Sequence, residues 1–266
     1  MTNTELRGYT LPLSPSGTTA LVAPPPWHFA GDVLMVEFLM EPAVLQGLLP
    51  KGLTPDEDDP RGAVIVGDWQ SLSQDQHEVA EPLLGQYREF YIALKAKFNG
   101  EAVVRSPFCW VDKDFSLLRG HIQGYPKKLG EIGMTRSFPV GQASPRIDAG
   151  GMFRGTLSSA GYRLASIGVT LERVVAEPPE LMTAPLAHSR IFPQWAPGGA
   201  GVCELVTGGS TDQQVSEVWA GQADLSFFDS PHDELSRLRP VEVLDGYRFS
   251  FSETLTGGKL LSDDGR

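Results

Sequence analysis

The chain has 266 residues, and its 29 Gly and 21 Pro are too much punctuation for a helix bundle. With 41% hydrophobic and 21% charged residues it has the composition of a folded globule, which excludes disorder, collagen-like repeats and coiled coil. A formal net charge of -11, from 22 Lys+Arg against 33 Asp+Glu, repels phosphate backbones, so no nucleic acid is expected as a partner.

The start, MTNTELRGYT, lacks a basic segment followed by an apolar one. No apolar run approaches the ~20 residues needed to cross a bilayer, so no membrane association and a cytoplasmic location are expected. Cys109 and Cys203 are the only cysteines and lie far apart, which predicts buried reduced thiols rather than a disulfide framework or zinc site. At this length one β-rich domain over residues 1–266 accommodates the composition.

Taken in order, the chain opens on an extended N-terminal arm, residues 1–30, which includes the Pro24-Pro25-Pro26 run. Asp32 to Met40 reads as a buried strand, and Val44, Leu45, Leu48 and Leu49 recur at helical spacing behind Pro42. Ala63 to Trp69 has strand character, whereas the acidic segment Asp56 to Asp59 reads as a solvated loop. The clearest β signal is Arg88 to Phe98, where Phe90, Ile92, Leu94 and Ala96 share one face and Tyr87, Glu89 and Tyr91 the other. Ala102 to Val111 reads as one strand and Phe115 to Leu118 as a short helical turn. Leu164 to Val175, Val202 to Val206 and Val215 to Phe228 are further strands. Tyr247, Phe249 and Phe251 alternate with polar residues in a last strand that ends at a Gly257-Gly258 turn. The predicted fold class is α+β, mostly β and antiparallel, with short helices.

Motifs with strict spacing are absent: there is no HExxH, EF-hand loop, GxSxG, P-loop, or GxGxxG after a strand. His28, His77, His121, His188 and His232 are scattered singly, and no metal is expected. One segment stands apart, Gly124-Tyr125-Pro126-Lys127-Lys128-Leu129-Gly130. Pro126 fixes its own φ and biases Tyr125 toward extended geometry, so Lys127 is presented by a stiff backbone. Lys127 and Lys128 would then point to opposite sides, one buried and the other solvated or paired. The segment reads either as a polar turn capping a strand or as a presented nucleophile. Burial disfavours an ammonium and leaves a free amine able to attack a carbonyl, giving an iminium that can accept an electron pair.

This segment resembles the acetoacetate decarboxylase-like family, in which a Tyr/Phe-Pro-Lys-Lys-Leu-Gly run carries the Schiff-base lysine. Acetoacetate decarboxylase is the type example of such lysine activation. Further likenesses are Tyr87-Arg88-Glu89, Val202-Cys203-Glu204-Leu205, and Glu217-Val218-Trp219-Ala220-Gly221 followed by Phe228-Asp229. Together they run from about Gly31 to Leu255. The resemblance implies an antiparallel β-barrel-like sheet flanked by short helices, a homo-oligomer, and a carbon-carbon lyase that needs no cofactor beyond the covalent Schiff base. Its small-molecule partner is a keto acid.

By the same resemblance Lys127 is the Schiff-base nucleophile, with Lys128 beside it, Glu89 an acid/base, and Asp68 the counterpart of a second acidic residue. Where the decarboxylases carry an arginine, Trp27-His28-Phe29-Ala30-Gly31 has none, and His28 is the nearby polar substitute. Gln123 resembles the amide of the branch that joins 2-oxo acids to aldehydes and dehydrates the product. Tyr247, on its aromatic face, is a candidate to close the pocket. The first expectation is decarboxylation of a β-keto acid. The alternatives are aldol addition and dehydration on a 2-oxo acid, or a non-catalytic binding protein using the same cavity.

Overall fold

A computed structural model describes residues 5–266. Strands dominate because β-branched and aromatic residues fill segments bounded by Gly and Pro. The first half carries β1 (Trp27–Leu39), α1 (Pro42–Gln46), β2 (Leu53–Pro55), β3 (Arg61–Ser73), β4 (Gln86–Phe98), β5 (Glu101–Arg105) and β6 (Cys109–Val111). Next come α2 (Asp114–Gln123), β7 (Lys127–Leu129), β8 (Glu131–Met134), β9 (Met152–Ser159) and β10 (Tyr162–Val175). The remainder is α3 (Glu180–Thr183), β11 (Leu186–Phe192), β12 (Val202–Val215), β13 (Val218–Phe227) and β14 (Glu242–Ser262).

The order β1-β3-β4-β5-β11-β12-β14, with β14 returning to β1, closes a seven-stranded barrel. All of its pairings are antiparallel except β5 with β11. From β14 the sheet continues through β13, β10, β9 and β8, which fold back over the barrel's outside. Leu34, Val36, Val64, Val66, Phe90 and Ile92 pack there against Phe153, Leu157, Ile167 and Val169. The opposite faces of the same strands, with Val33, Met35, Ile65, Tyr91 and Phe249, fill a second cluster inside. Burial on both faces is why β1, β3 and β4 read as near-continuous apolar runs.

Several boundaries differ from the sequence reading. The arm ends at Pro26, because Trp27–Ala30 already pair with both β3 and β14. It is also folded back instead of extended: Arg7 and Ser14 exchange backbone hydrogen bonds, and the Thr10 side chain bonds Val22. The predicted strand Ala102 to Val111 is two strands, interrupted at Ser106-Pro107, where proline has no N–H for the ladder. Phe115 to Leu118 belongs to a longer helix that stops at Gly124, whose φ of 94° suits glycine. Gly257-Gly258 is not a turn: β14 runs through it, with Gly258 paired to Gly208 of β12. Both cysteines are free, Cys109 buried and Cys203 half-buried.

Candidate active site

Glu89 and Lys127, 38 residues apart, meet through strand pairing. Tyr91 of β4 lies opposite Cys109 of β6, and Cys109 opposite Lys127 of β7. Alternation along β4 then turns Tyr87, Glu89 and Tyr91 to the same side. Lys127 Nζ donates to Glu89 Oε2 at 2.7 Å and to Ser116 Oγ at 3.2 Å, with both charged side chains buried. His121 Nε2, 2.8 Å from the Lys127 carbonyl oxygen, ties the strand to the helix before it. Lys128 points the other way, pairing with Asp233 and lying 5.1 Å over the Trp110 ring.

A cavity of about 670 Å³ opens beside the Lys127 amine. Helix α2 lines it with Arg119 and Gln123, which fall on the same helix face as Ser116 at intervals of three and four residues. The Arg119 guanidinium is buried among Trp27, Phe29, Tyr87 and Phe115, 4.7 Å from the Phe29 ring centre. Its Nη1 donates to Ser71 Oγ at 3.0 Å, but Nη2 is buried without a partner. Gln123 Nε2 is buried and unpartnered too. Two unpaired donors in an apolar wall suit a carboxylate or carbonyl oxygen.

Glu253 enters from β14, where Phe251, Glu253 and Leu255 alternate onto the cavity. Ser210 Oγ donates to it at 2.6 Å. Burial raises this carboxyl above its ordinary range, the Ser210 bond opposes the rise, and the charge of Glu89 adds to it. Burial likewise pushes the Tyr125 phenol well up, with Glu253 and Glu89 contributing, so the phenol keeps its proton. The Tyr125 ring centre is 5.2 Å from Lys127 Nζ. The cavity thus holds the Lys127 amine, the carboxyl groups of Glu89 and Glu253 and the Arg119 guanidinium with a free N–H, the parts needed for carbonyl addition and proton transfer, while Arg190, Glu204 and Lys259 also line it.

Besides Lys128, three sequence-predicted residues lie elsewhere. Asp68, on β3, accepts from Arg136 at 3.1 Å and stands 3.6 Å from Arg88 Nε, outside the cavity. His28 alternates away from Trp27 and Phe29, which line the cavity, and its Nδ1 meets Thr254 Oγ1 at 3.0 Å. Tyr247 shares a face with Phe251 but stands four residues, about 13 Å, further along the strand. Its hydroxyl donates to Glu37 at 3.3 Å, and Arg61 closes the same cluster at 3.2 Å, so it does not close the pocket.

Sequence reasoning missed Arg119 and Glu253. Both were within reach of a periodicity argument, had α2 been extended to Gly124 and the Tyr247-Phe249-Phe251 alternation carried one step on.

A family model described as acetoacetate decarboxylase matches residues 10–264. The chain belongs to the acetoacetate decarboxylase family. Within it, the chain is 25% identical over 183 residues to an acetoacetate decarboxylase of Clostridium botulinum strain Eklund 17B, covering 68% of this chain and 70% of that one. Among solved structures, it is similar to the enduracididine biosynthesis enzyme MppR. The MppR complex with pyruvate superposes at a TM-score of 0.92 with 42% identity, over 97% of this chain and 99% of that one. The MppR complex with the condensation product of pyruvate and imidazole 4-carboxaldehyde gives 0.93 and 41%, over 99% of both chains. An acetoacetate decarboxylase-like enzyme from Sphingomonas wittichii RW1 gives 0.89 and 29%, over 96% of this chain and 99% of that one. The barrel is therefore that of a family of enzymes. Among the described residues, no helix is long and apolar enough to cross a membrane, and no cluster of three or more His, Cys, Asp or Glu could hold a metal ion.

Proposed function

We propose that the protein is a Schiff-base aldolase-dehydratase that joins a small 2-oxo acid such as pyruvate to an aldehyde. The observation that carries this reading is the buried Arg119 guanidinium, its Nη2 free, in the same cavity as the Lys127 amine. A 2-oxo acid keeps its carboxylate throughout such a reaction, so a fixed cation serves every step. Three further points support it: Gln123 beside Arg119, a cavity large enough for two small substrates, and the likeness to an enzyme crystallised with pyruvate and with its aldehyde condensation product. Decarboxylation of a β-keto acid, the first expectation from the sequence, uses the same lysine but gives no work to the second carboxyl, Glu253.

In this mechanism the Lys127 ammonium passes a proton to Glu89, the nearest base, and the amine adds to the C2 carbonyl. Glu89 returns that proton to the carbinolamine hydroxyl, which leaves as water to form an iminium, and the freed Glu89 carboxylate then takes a C3 proton to give the enamine. The enamine carbon attacks the aldehyde carbon, forming the new C–C bond, and the resulting alkoxide takes its proton from Glu253. A second C3 proton and the hydroxyl then depart as water, leaving a conjugated iminium. Hydrolysis frees Lys127 and releases an unsaturated 2-oxo acid. The iminium is itself the electron sink, so this route requires no organic cofactor.

The test is to supply pyruvate and an aromatic aldehyde and follow the products. Growth of conjugated enone absorbance, with no carbon dioxide released, is the expected result. Carbon dioxide from a β-keto acid, with no condensation across an aldehyde panel, would overturn it in favour of decarboxylation.

A further inference from the structure

His188 is a buried titratable residue that the proposed mechanism does not use. It lies on β11, where Leu186, His188 and Arg190 alternate onto the cavity wall. The chain at the end of α2 clamps the imidazole in place. A Cβ on Gly124 would stand 2.9 Å from the His188 Cβ, so glycine lets the two backbones close on each other, and the Tyr125 ring lies 3.8 Å from the imidazole, tilted by 38°. Both ring nitrogens are nevertheless buried without a hydrogen bond. Packing alone calls for no such group, since a phenylalanine would fill similar space with nothing left unpaired.

The Tyr125 ring packs on the imidazole at 3.8 Å and lies 5.2 Å from Lys127 Nζ. Arg119 and Gln123 line the cavity from α2, whereas His188 lines it from β11, a different part of the wall. Beyond it the wall is bare at Gly208 and Gly258, which pair across β12 and β14, and a Cβ on Gly208 would touch nothing within 4 Å. Burial, with the positive charges of Arg105 and Lys127, lowers the imidazole's proton affinity and keeps it neutral. A neutral imidazole has one donor and one acceptor.

We propose that His188 selects the aldehyde, recognising an acceptor that carries a neutral group able both to donate and to accept a hydrogen bond, such as a hydroxyl. The proposal deepens the aldolase-dehydratase reading and rests on it. A site built to bind a hydroxyl rejects the analogue lacking it far more strongly than an apolar wall favours a larger substrate.

The experiment compares 2-, 3- and 4-hydroxybenzaldehyde with benzaldehyde, each with pyruvate, on wild type, His188→Phe and His188→Asn. The readouts are kcat/KM and, separately, calorimetric affinity for each aldehyde without pyruvate. Wild type should prefer at least one hydroxy isomer by about tenfold or more relative to the His188→Phe ratio, with His188→Asn between them. All three proteins should form the borohydride-trapped pyruvate adduct, which reports an intact Lys127 site. Equal hydroxyl preference in wild type and His188→Phe, with the adduct intact, overturns the inference and leaves the reaction standing. Absence of the adduct in wild type would instead sink the reaction, and the affinity ratios would still judge His188. Should His188→Phe not fold, His188→Asn carries the comparison, and an unchanged preference there counts against the proposal.

Discussion

Gly120 packs directly on the stem of Lys127: a Cβ built at residue 120 would overlap Lys127 Cδ and stand 2.7 Å from Cε. The Lys127 side chain therefore occupies the space that any larger residue at 120 would take. On helix propensity alone Gly120→Ala should stabilise α2 by about 1 kcal/mol. Here it is expected to displace the amine from Glu89 and Ser116 and lower kcat at least ~100-fold, since misplacing a reacting group by about an ångström costs that much. Kinetics together with a thermal melt check this, and a variant that melts normally but turns over at wild-type rate would refute it.

Arg119→Gln should act on the 2-oxo acid and spare the aldehyde. Losing a charged hydrogen bond worth about 1.5–3 kcal/mol raises the pyruvate KM roughly 10- to 100-fold. Initial rates with each substrate varied in turn make the comparison. An equal effect on both substrates would argue against a carboxylate clamp.

Glu253 predicts a dependence of stability on pH. A carboxyl whose pKa is raised on folding holds its proton more tightly in the native state. Its contribution is complete below the unfolded value, 4.5, and is lost as pH rises through the higher folded value. Glu253→Gln, which cannot ionise, should therefore be more stable than wild type near about pH 8, with the gain fading toward about pH 4. Denaturant titrations at both ends decide it, and a loss of stability at the alkaline end would mean that Glu253 is held as a favourable carboxylate. The same variant should stall after C–C bond formation if Glu253 protonates the alkoxide.

Tyr247 and His28 serve as controls. Tyr247→Phe removes one hydrogen bond to Glu37, at a cost of about 1 kcal/mol, from the end of the barrel remote from Lys127. His28→Ala removes a contact with Thr254. Both variants should trap pyruvate on Lys127 as wild type does, as quantified by mass spectrometry of the reduced protein.

Much of the barrel was legible in the sequence because its strands obey local rules. Tyr87, Glu89 and Tyr91 alternate onto one side as expected, and the rigid Tyr125-Pro126 frame divides Lys127 from Lys128. What was not legible is how far along a face the cavity extends. Alternation puts Tyr247 on the same side as Glu253, yet only barrel closure decides that the Glu253 end opens to the cavity while the Tyr247 end meets Glu37. Asp68 lies opposite Arg88 in the β3–β4 register, a pairing set by the loop lengths between strands, and no residue pattern announces it. Gly257-Gly258 looks like a turn in isolation. Its partner Gly208, some fifty residues upstream, makes it strand.

Borohydride reduction in the presence of pyruvate reports whether Lys127 forms an iminium with a 2-oxo acid. The predicted result is one added pyruvate-derived mass per chain, mapped to the peptide carrying Lys127 and absent from Lys127→Ala. An unmodified Lys127 in folded protein exposed to both pyruvate and borohydride would contradict the account.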